Sequence, residues 1–154
     1  MKTIIGTKQD VVKELTALVA DVLARKPEAN IAVSAVDLPA EVLDALAASD
    51  IAFDKAKLFQ ACEYCGAAGK GAHAAGAAFS PLMAAKPFAA VHAPDPDADA
   101  EHAADYDAAI QAAGGLDLVI LGLGERGHVA FNEPGAGFGE KTHIAKLAEV
   151  TRAA

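Results

Sequence analysis

The sequence predicts an α/β protein with a mostly parallel sheet, on three observations. Short apolar runs alternate along the chain with segments whose apolar residues recur at the three- and four-residue spacing of a helix. Prolines and glycines separate these segments. The apolar run at residues 116–121 is bounded by glycines, as is typical of a strand buried on both faces of a parallel sheet. Repeated strand–helix units of this kind indicate an α/β fold.

Three β-like runs and two helical patterns occupy the first part of the chain. Strands are predicted over residues 4–5, 31–36 and 57–61, where apolar residues are concentrated in short runs. One helix is predicted over residues 11–23 and ends before a proline. A second helix is predicted over residues 39–50, which begin at a proline.

The rest of the chain is first glycine-rich and then acidic. Residues 66–76 contain four glycines and several alanines, a composition that predicts a loop or a loosely packed helix. Residues 95–107 carry six acidic residues and no Lys or Arg, and they predict a solvated acidic helix that Gly114 and Gly115 end. The strand at residues 116–121 then follows.

Length and composition limit the class of protein. With 154 residues, the chain is expected to form a single domain over residues 1–154. Hydrophobic residues at 53% and charged residues at 22% exclude disorder, because such a chain can bury a core. A formal net charge of -8 disfavours nucleic acid and anionic membranes as partners. No apolar run approaches the roughly 20 residues of a membrane helix. Cys62 and Cys65 are too close to staple distant segments, so we expect a reducing, cytoplasmic setting.

A glycine motif follows the last predicted strand. Ligands of parallel sheets bind at the carboxyl ends of strands, so two segments are candidates for the site, residues 60–66 and 122–139. Gly122, Gly124 and Gly127 spell G-x-G-x-x-G, which by itself is compatible with a dinucleotide site. The residues after the motif include a proline and further glycines, which exclude the long helix that a pyrophosphate would need. We therefore expect no nucleotide cofactor.

The tetrapeptide Cys62-Glu63-Tyr64-Cys65 is a lone C-x-x-C pair. Structural zinc needs four ligands, and the nearest further candidates are two histidines, His73 and His92. A thioredoxin-like site would need a helix beginning at the first cysteine, whereas glycines follow the second one. A metal or thiol site remains one reading of this motif, and the other is a pair of ordinary cytosolic thiols. We expect no resident metal.

A histidine and a carboxylate lie in the loop after the glycine motif. In one interpretation, the side chains of His128 and Glu133 only form hydrogen bonds with backbone groups of their own turn. In the other, the carboxylate pairs with the imidazole, which then donates or accepts a proton near neutral pH. Spacing alone leaves both interpretations open.

The string from Leu121 to Gly135, LGLGERGHVAFNEPG, resembles the signature loop of glucosamine-6-phosphate deaminases. The related 6-phosphogluconolactonases share the Gly-His pair but not Phe-Asn-Glu-Pro. Residues 53–64 are similar to the family's strand that ends in Asp-Glu-Tyr, and residues 39–46 to the helix after its phosphate loop. The resemblance covers nearly the whole chain. It implies a Rossmann-like, three-layer αβα fold that is truncated at its C-terminal end relative to the family.

The resemblance also implies a reaction and its catalytic residues. Family members open the ring of an amino sugar phosphate, move a proton between C2 and C1, and release ammonia. The ring-opening histidine corresponds to His128, and its two carboxylate partners correspond to Arg126 and Glu133. The C2 base corresponds to Cys62, whose thiol is a weaker base than a carboxylate at neutral pH unless its thiolate is stabilised. Substrate contacts are implied for five further residues, Gly124, Gly127, Asn132, Glu63 and Tyr64.

Two hypotheses follow for the function. In the first, the chain is a deaminase- or isomerase-like enzyme for glucosamine 6-phosphate or galactosamine 6-phosphate, with impaired activity. In the second, it is a noncatalytic homologue that binds a ligand or partner through the same cleft. The family's phosphate-cradling Gly-Gly-Thr corresponds here to Val36, Asp37 and Leu38, so a carboxylate would face the phosphate. A sugar phosphate is the expected partner, and uncovered strands predict a homo-oligomer.

Overall fold

The computed structural model describes residues 3–65, 74–137, 139–149 and 151. Four parallel strands form one sheet in the order β3-β2-β1-β4. The elements, in chain order, are α1 Lys8–Arg25, β1 Asn30–Val33, α2 Ala40–Ala48, β2 Lys57–Gln60, α3 Ala74–Ala77, α4 Ser80–Ala85, β3 Ala90–His92, α5 Ala104–Ala112 and β4 Leu118–Ile120. The predicted α/β fold with a parallel sheet is confirmed. Among the described helices, none has the length and apolarity needed to cross a bilayer.

Strand β1 lies between β2 and β4, so its residues pair on both sides. Ile31 is in register with Leu58 of β2 and with Leu118 of β4. Because all strands are parallel, the segments that follow β1, β2 and β4 leave the sheet at the same edge. This edge holds the residues discussed below.

Helices cover both faces of the sheet. On one face, side chains of α1, α2 and α4 form a buried cluster with strand residues; the cluster includes Val19, Leu23, Val42, Leu46, Leu82, Ile31, Val33 and Leu58. On the other face, the fully buried Phe59 stacks on His92 with ring centroids 4.5 Å apart and meets Tyr106 of α5 edge-on at 6.3 Å. Each fully buried side chain of this size contributes about 1.5–3 kcal/mol. The three-layer αβα arrangement is thus confirmed.

The predicted strand at residues 4–5 is wrong. Ile5 is 96% exposed and pairs with no described strand, because a capping box commits the chain to helix α1 immediately afterwards. The Thr7 backbone N–H donates to Asp10 Oδ2 at 2.8 Å, and the Asp10 N–H donates to Thr7 Oγ1 at 3.3 Å. Such reciprocal bonds satisfy two backbone donors that a helix start otherwise leaves free.

The acidic segment is mostly not helical. Helix α5 begins only at Ala104, whereas residues 96–97 and 100–103 form turns. Asp95 accepts from the backbone N–H of Asp97, and Asp99 accepts from those of Glu101 and His102. Aspartate side chains that bond to nearby backbone in this way compete with helix formation. The predicted stop is confirmed, since Gly114 and Gly115 have φ of 96° and 88°.

Two strands differ from the prediction. Strand β3 was not predicted, because three residues with only one β-branched side chain give a weak pattern. Strand β4 is not buried on both faces: Val119 is 47% exposed and Leu121 just after it is 44% exposed. The reason is its position at the edge of the sheet. In the glycine-rich segment, residues 66–73 lie outside the described ranges.

A buried asparagine connects the start of β1 to the start of β4. Asn30 donates its backbone N–H to Asp117 Oδ2 at 2.8 Å. Its side-chain amide donates to the carbonyls of Ala113 at 2.9 Å and Gly115 at 2.6 Å. Because buried polar groups must find partners, these bonds fix where β4 enters the sheet. The loop after β4 is positioned as a consequence.

Candidate functional site

Three loops meet where β1, β2 and β4 end. They comprise residues 34–38, 61–65 and 121–133. The first two are linked by a contact of 3.5 Å between Ser34 Oγ and Cys62 Sγ. The first and third pack backbone against backbone at Gly122. Residues 61–65 and 122–133 of the two segments singled out from the sequence are therefore at this edge, together with the loop after β1.

The glycine motif allows the loops to approach closely. A Cβ at Gly122 would lie closer than 3.0 Å to backbone atoms of Val36 and Asp37, and a Cβ at Gly124 would overlap the His128 ring. Gly127 has a φ of 80° and closes a turn by donating its N–H to the Gly124 carbonyl at 2.9 Å. These glycines thus admit a neighbouring loop and an imidazole ring, and no described helix begins within the motif.

His128 pairs with a carboxylate from a different loop. Its Nε2 lies 2.6 Å from Asp37 Oδ2, and the side chains are 12% and 34% exposed respectively. The other ring nitrogen, Nδ1, is buried and has no hydrogen-bond partner among the described residues. Asp37 adopts a φ of 55°, in the region that favours glycine. An imidazole held by a carboxylate is suited to moving protons near neutral pH.

The predicted hydrogen bond between His128 and Glu133 is not formed. Glu133 Oε1 instead accepts from Thr151 Oγ1 at 2.6 Å and from the Ala148 N–H at 3.1 Å. These two bonds, with smaller contributions from the charges of Arg126 and His128, lower the pKa of Glu133. Its Oε2 is buried and has no partner among the described residues. The bonds to a later segment explain why this carboxylate does not turn towards the ring.

Arg126 and Asn132 occupy turns in the same loop. Arg126 is exposed and makes no ion pair with a described residue, although its charge acts on Glu133. Asn132 is exposed, and its backbone exchanges two hydrogen bonds with Val129, at 3.2 and 3.0 Å. Between them, Ala130 adopts a φ of 52°. Asn132 is therefore accessible to solvent.

Cys62 is half-buried beside Ser34. Burial raises the pKa of the Cys62 thiol, the hydrogen bond with Ser34 opposes that rise, and the charge of Glu63 adds to it. The thiol is consequently protonated near neutral pH. Cys65 is exposed. Within the described ranges no three His, Cys, Asp or Glu side chains are arranged to hold a metal. Of the two further candidate ligands, His92 stacks on Phe59, and His73 lies outside the described residues.

Glu63 and Tyr64 lie in the loop after β2, directly after Cys62. The Glu63 carboxylate accepts from the N–H groups of Tyr64, Ala75 and Gly76 at 2.8–3.1 Å, so it orders the start of α3. The Tyr64 ring packs on Phe131, with centroids 4.6 Å apart. Burial raises the pKa of Tyr64, and so do the carboxylates of Glu63 and Asp37 and, in the alkaline range where tyrosine titrates, the Cys62 thiolate. Its hydroxyl therefore remains a hydrogen-bond donor at neutral pH.

The environment of Cys62 predicts a difference in thiol reactivity. We expect iodoacetamide to alkylate Cys62 at least about tenfold more slowly than Cys65 at pH 8, because the thiolate is the nucleophile. Ser34→Ala removes the bond that lowers the pKa of Cys62, so the pH midpoint of its alkylation should rise. Peptide mass spectrometry measures both rates, and Ser80→Ala on α4 is the matched control. Equal rates at the two thiols would contradict this assignment.

Three site residues were not identified by patterns in the sequence. Asp37 was noted only as a departure from the phosphate loop, and Ser34 and Thr151 were not noted at all. A signal for Asp37 exists: it is an acid just after a buried strand whose carboxyl end lies beside that of β4. No local signal connects Thr151 to Glu133, which are 18 residues apart.

Comparison with known proteins gives consistent matches. A family model described as glucosamine-6-phosphate isomerases/6-phosphogluconolactonase matches residues 6–147. The glucosamine-6-phosphate deaminase of Pseudarthrobacter chlorophenolicus is 36% identical over 97% of the chain, which covers 61% of that protein. The corresponding enzyme of Beutenbergia cavernae is 38% identical over 90% of the chain, which covers 58% of it. The chain thus spans about three-fifths of the length of these relatives.

A solved structure gives the same fold. The structure of a monomeric glucosamine-6-phosphate deaminase matches with a TM-score of 0.79 and 23% identity. The match covers 99% of this chain and 68% of that chain. At this identity, the likeness is one of fold.

Proposed function

Since the chain belongs to the family of glucosamine-6-phosphate isomerases and 6-phosphogluconolactonases, we propose that it acts on an amino sugar 6-phosphate as a deaminase-like isomerase. Glucosamine 6-phosphate and galactosamine 6-phosphate are the proposed substrates. The reaction takes up one water, releases one ammonia and leaves a ketose phosphate. The observation that supports it most directly is His128, paired with Asp37 at 2.6 Å in the loop that follows β4.

The proposed chemistry divides between two centres. At the first, the imidazole of His128 with its carboxylate partner handles the protons of ring opening. At the second, we assign to Cys62 the role of the base that takes the C2 proton. Tyr64, two residues after Cys62, is available as a hydroxyl donor, and Asn132 lies in an exposed turn of the loop after β4. Gly124 supports the first centre by leaving room for the imidazole.

We propose that the activity is impaired at the second centre. A thiol whose pKa is raised by burial holds its proton, so it removes a C2 proton slowly. The same observation favours the alternative function, a noncatalytic module that binds a sugar phosphate or a partner through this cleft. The Glu63 carboxylate accepts hydrogen bonds from three backbone N–H groups, which is a structural role. This role also favours binding over catalysis.

Ammonia release from the two amino sugar phosphates tests the proposal. We expect turnover well below the ~10 per second of a typical enzyme. Turnover at that level would contradict impairment, because Cys62 would then be an effective base. No turnover, combined with calorimetric binding of either sugar phosphate, would support the noncatalytic alternative.

Substitution of three residues in the loop after β1 should strengthen phosphate binding. We expect the combined substitution of Val36→Gly, Asp37→Gly and Leu38→Thr to increase the affinity for glucosamine 6-phosphate by about tenfold or more, which is 1.4 kcal/mol. The reason is that it removes a carboxylate and gives the backbone room to approach the phosphate. Calorimetry with glucosamine 6-phosphate and with unphosphorylated glucosamine measures the effect. An equal gain for both sugars would contradict a phosphate contact.

We further propose a homo-oligomer in the cytoplasm. Strand β4 pairs only with β1 among the described strands, and the apolar side chains of Val119, Leu121 and Leu123 at this edge are 47%, 44% and 72% exposed. A second copy is a suitable cover for such an edge. The free thiols Cys62 and Cys65 favour a reducing compartment. Light scattering that gives a monomer at high concentration would contradict the oligomer.

A further inference from the structure

Cys62 and Cys65 lie in one loop, directly after β2, at the edge of the sheet where β1 and β4 also end. Both are free thiols, of which Cys62 is half-buried and Cys65 is exposed. The proposed function uses Cys62 as a base and gives Cys65 no role. Two cysteines at this C-x-x-C spacing are also typical of thiol pairs that are oxidised to a disulfide. The pair is therefore a candidate for redox chemistry.

The chain itself limits the separation of the two cysteines. Three residues of extended chain span at most about 11 Å, whereas a disulfide needs Cα atoms within about 7 Å of each other. Neither cysteine lies in a helix or strand, and their backbone groups form no hydrogen bond with another described residue. A bend of a few ångströms at the two residues between them is therefore sufficient to bring the sulfurs together.

The two residues between the cysteines contact other parts of the site. The Glu63 carboxylate accepts from the first backbone N–H groups of α3 that it meets, those of Ala75 at 3.1 Å and Gly76 at 3.0 Å. The Tyr64 ring packs on Phe131 of the loop after β4, with centroids 4.6 Å apart. A bend in this loop is therefore transmitted both to α3 and to the loop that carries the imidazole.

The two sulfurs differ in their access to an oxidant. Cys65 is exposed, so a small peroxide can reach it from solvent. The Cys62 sulfur lies 3.5 Å from Oγ of the fully buried Ser34, and burial raises the pKa of the Cys62 thiol. Oxidation of a cysteine follows its exposure and its thiolate character. We therefore expect Cys65 to be oxidised first.

We propose that Cys62 and Cys65 form a reversible redox switch, in which hydrogen peroxide converts the two thiols to a disulfide. The Cys65 thiolate attacks one peroxide oxygen, the O–O bond breaks, and the sulfur becomes a sulfenic acid while the other oxygen leaves as water. The Cys62 sulfur then loses its proton and attacks the Cys65 sulfur. The S–O bond breaks and the hydroxyl group leaves as a second water. Two thiols are thus oxidised and one peroxide is reduced, and an external dithiol reverses the change.

Closure of the disulfide removes the base from the C2 centre. A disulfide sulfur has no thiolate form, so the oxidised Cys62 cannot take a proton from the sugar. This consequence rests on the proposed function, whereas formation of the disulfide does not. The reduced chain is therefore the active form, and the oxidised chain is the inactive one.

Treatment of the full chain with one equivalent of hydrogen peroxide tests the switch. We expect the intact mass to fall by that of two hydrogen atoms, and peptide mass spectrometry to identify a disulfide between Cys62 and Cys65. Ammonia release from glucosamine 6-phosphate should fall by at least about tenfold, and dithiothreitol should restore it. Cys65→Ser is the matched control, which should release ammonia at the wild-type rate and keep most of that rate after the same treatment.

Dimedone, which traps sulfenic acids, tests the order of the two steps. In Cys62→Ser the sulfenic acid on Cys65 has no thiol to react with, so we expect a dimedone adduct at Cys65. In the wild type this adduct should be at least about tenfold scarcer, because Cys62 converts the sulfenic acid to the disulfide. An equal yield of the adduct in both chains would overturn the pairing.

The disulfide and the activity are measured separately, so failure of the switch differs from failure of the proposed function. Absence of the disulfide after peroxide treatment, or a disulfide between the Cys65 residues of two copies in its place, would overturn the switch. Undiminished ammonia release from a chain that holds the Cys62–Cys65 disulfide would also overturn it. A reversible disulfide in a chain whose reduced form releases no ammonia would support the thiol pair and overturn the deaminase function.

Discussion

Substitution of Cys62 by aspartate is expected to raise the rate of ammonia release from glucosamine 6-phosphate by about 100-fold to 1,000-fold. The substitution replaces a thiol that holds its proton with a carboxylate that is ionised at neutral pH. Ser34 Oγ, 3.5 Å from the Cys62 sulfur, is close enough to donate a hydrogen bond to that carboxylate. The C2 step then no longer limits the reaction.

Two variants serve as controls for this gain. Cys65→Asp adds the same charge at the exposed cysteine and should leave the rate near that of the wild type. Arg126→Asp should have a smaller effect than Cys62→Asp, because Asp37 already supplies a carboxylate to His128. Equal rates for Cys62→Asp and Cys65→Asp would refute the assignment of Cys62 to the C2 centre.

Substitution of Gly124 by alanine is expected to be among the most damaging single changes in the loop after β4. The added Cβ would overlap the His128 imidazole, which must then leave its position beside Asp37. We expect anomer exchange to fall by at least about 100-fold. Overpacking of this kind also lowers the free energy of unfolding by about 1–3 kcal/mol. Urea denaturation measures the free energy of unfolding, and NMR measures the interconversion of the two anomers of glucosamine 6-phosphate, which requires ring opening.

Gly139→Ala is the matched control for this substitution. Among the described residues other than its chain neighbours, none has a heavy atom within 4 Å of a Cβ built at Gly139. The free energy of unfolding should therefore change by no more than about 0.5 kcal/mol, with ring opening intact. If Gly124→Ala behaved like this control, the close packing of the ring would have no functional role.

The fold was predictable where burial of an element leaves a characteristic spacing of apolar residues in the sequence. Helix α1 has apolar residues at helical spacing because one side of it packs on the sheet. Residues 31–33 of β1 and 58–59 of β2 are apolar because these two strands lie in the interior of the sheet. The edge position of β4 has no such signature, because its residues are as apolar as those of an inner strand. Burial of β4 was consequently overestimated.

The candidate site was predictable where its residues are adjacent in sequence. The loop around His128 was identified from its own motif, whereas its carboxylate partner was assigned to the wrong residue. Glu133 was chosen because it is five residues away, but the actual partner, Asp37, is 91 residues away. Strand order brings this pair together, and a pattern within a single segment contains no information on strand order.

The pairing of β1 with β4 also affects the order in which the molecule can assemble. Asn30 and Asp117, which are joined by a hydrogen bond, are 87 residues apart in sequence. Closure of so long a loop costs chain entropy before the contacts that compensate for it are made, and such non-local topology slows folding. Strands β1 and β2, which pair over a shorter separation, can meet earlier. The contact between Asp37 and His128 can therefore form only after β4 has docked, so a partly folded chain that lacks this strand also lacks the proposed ring-opening centre.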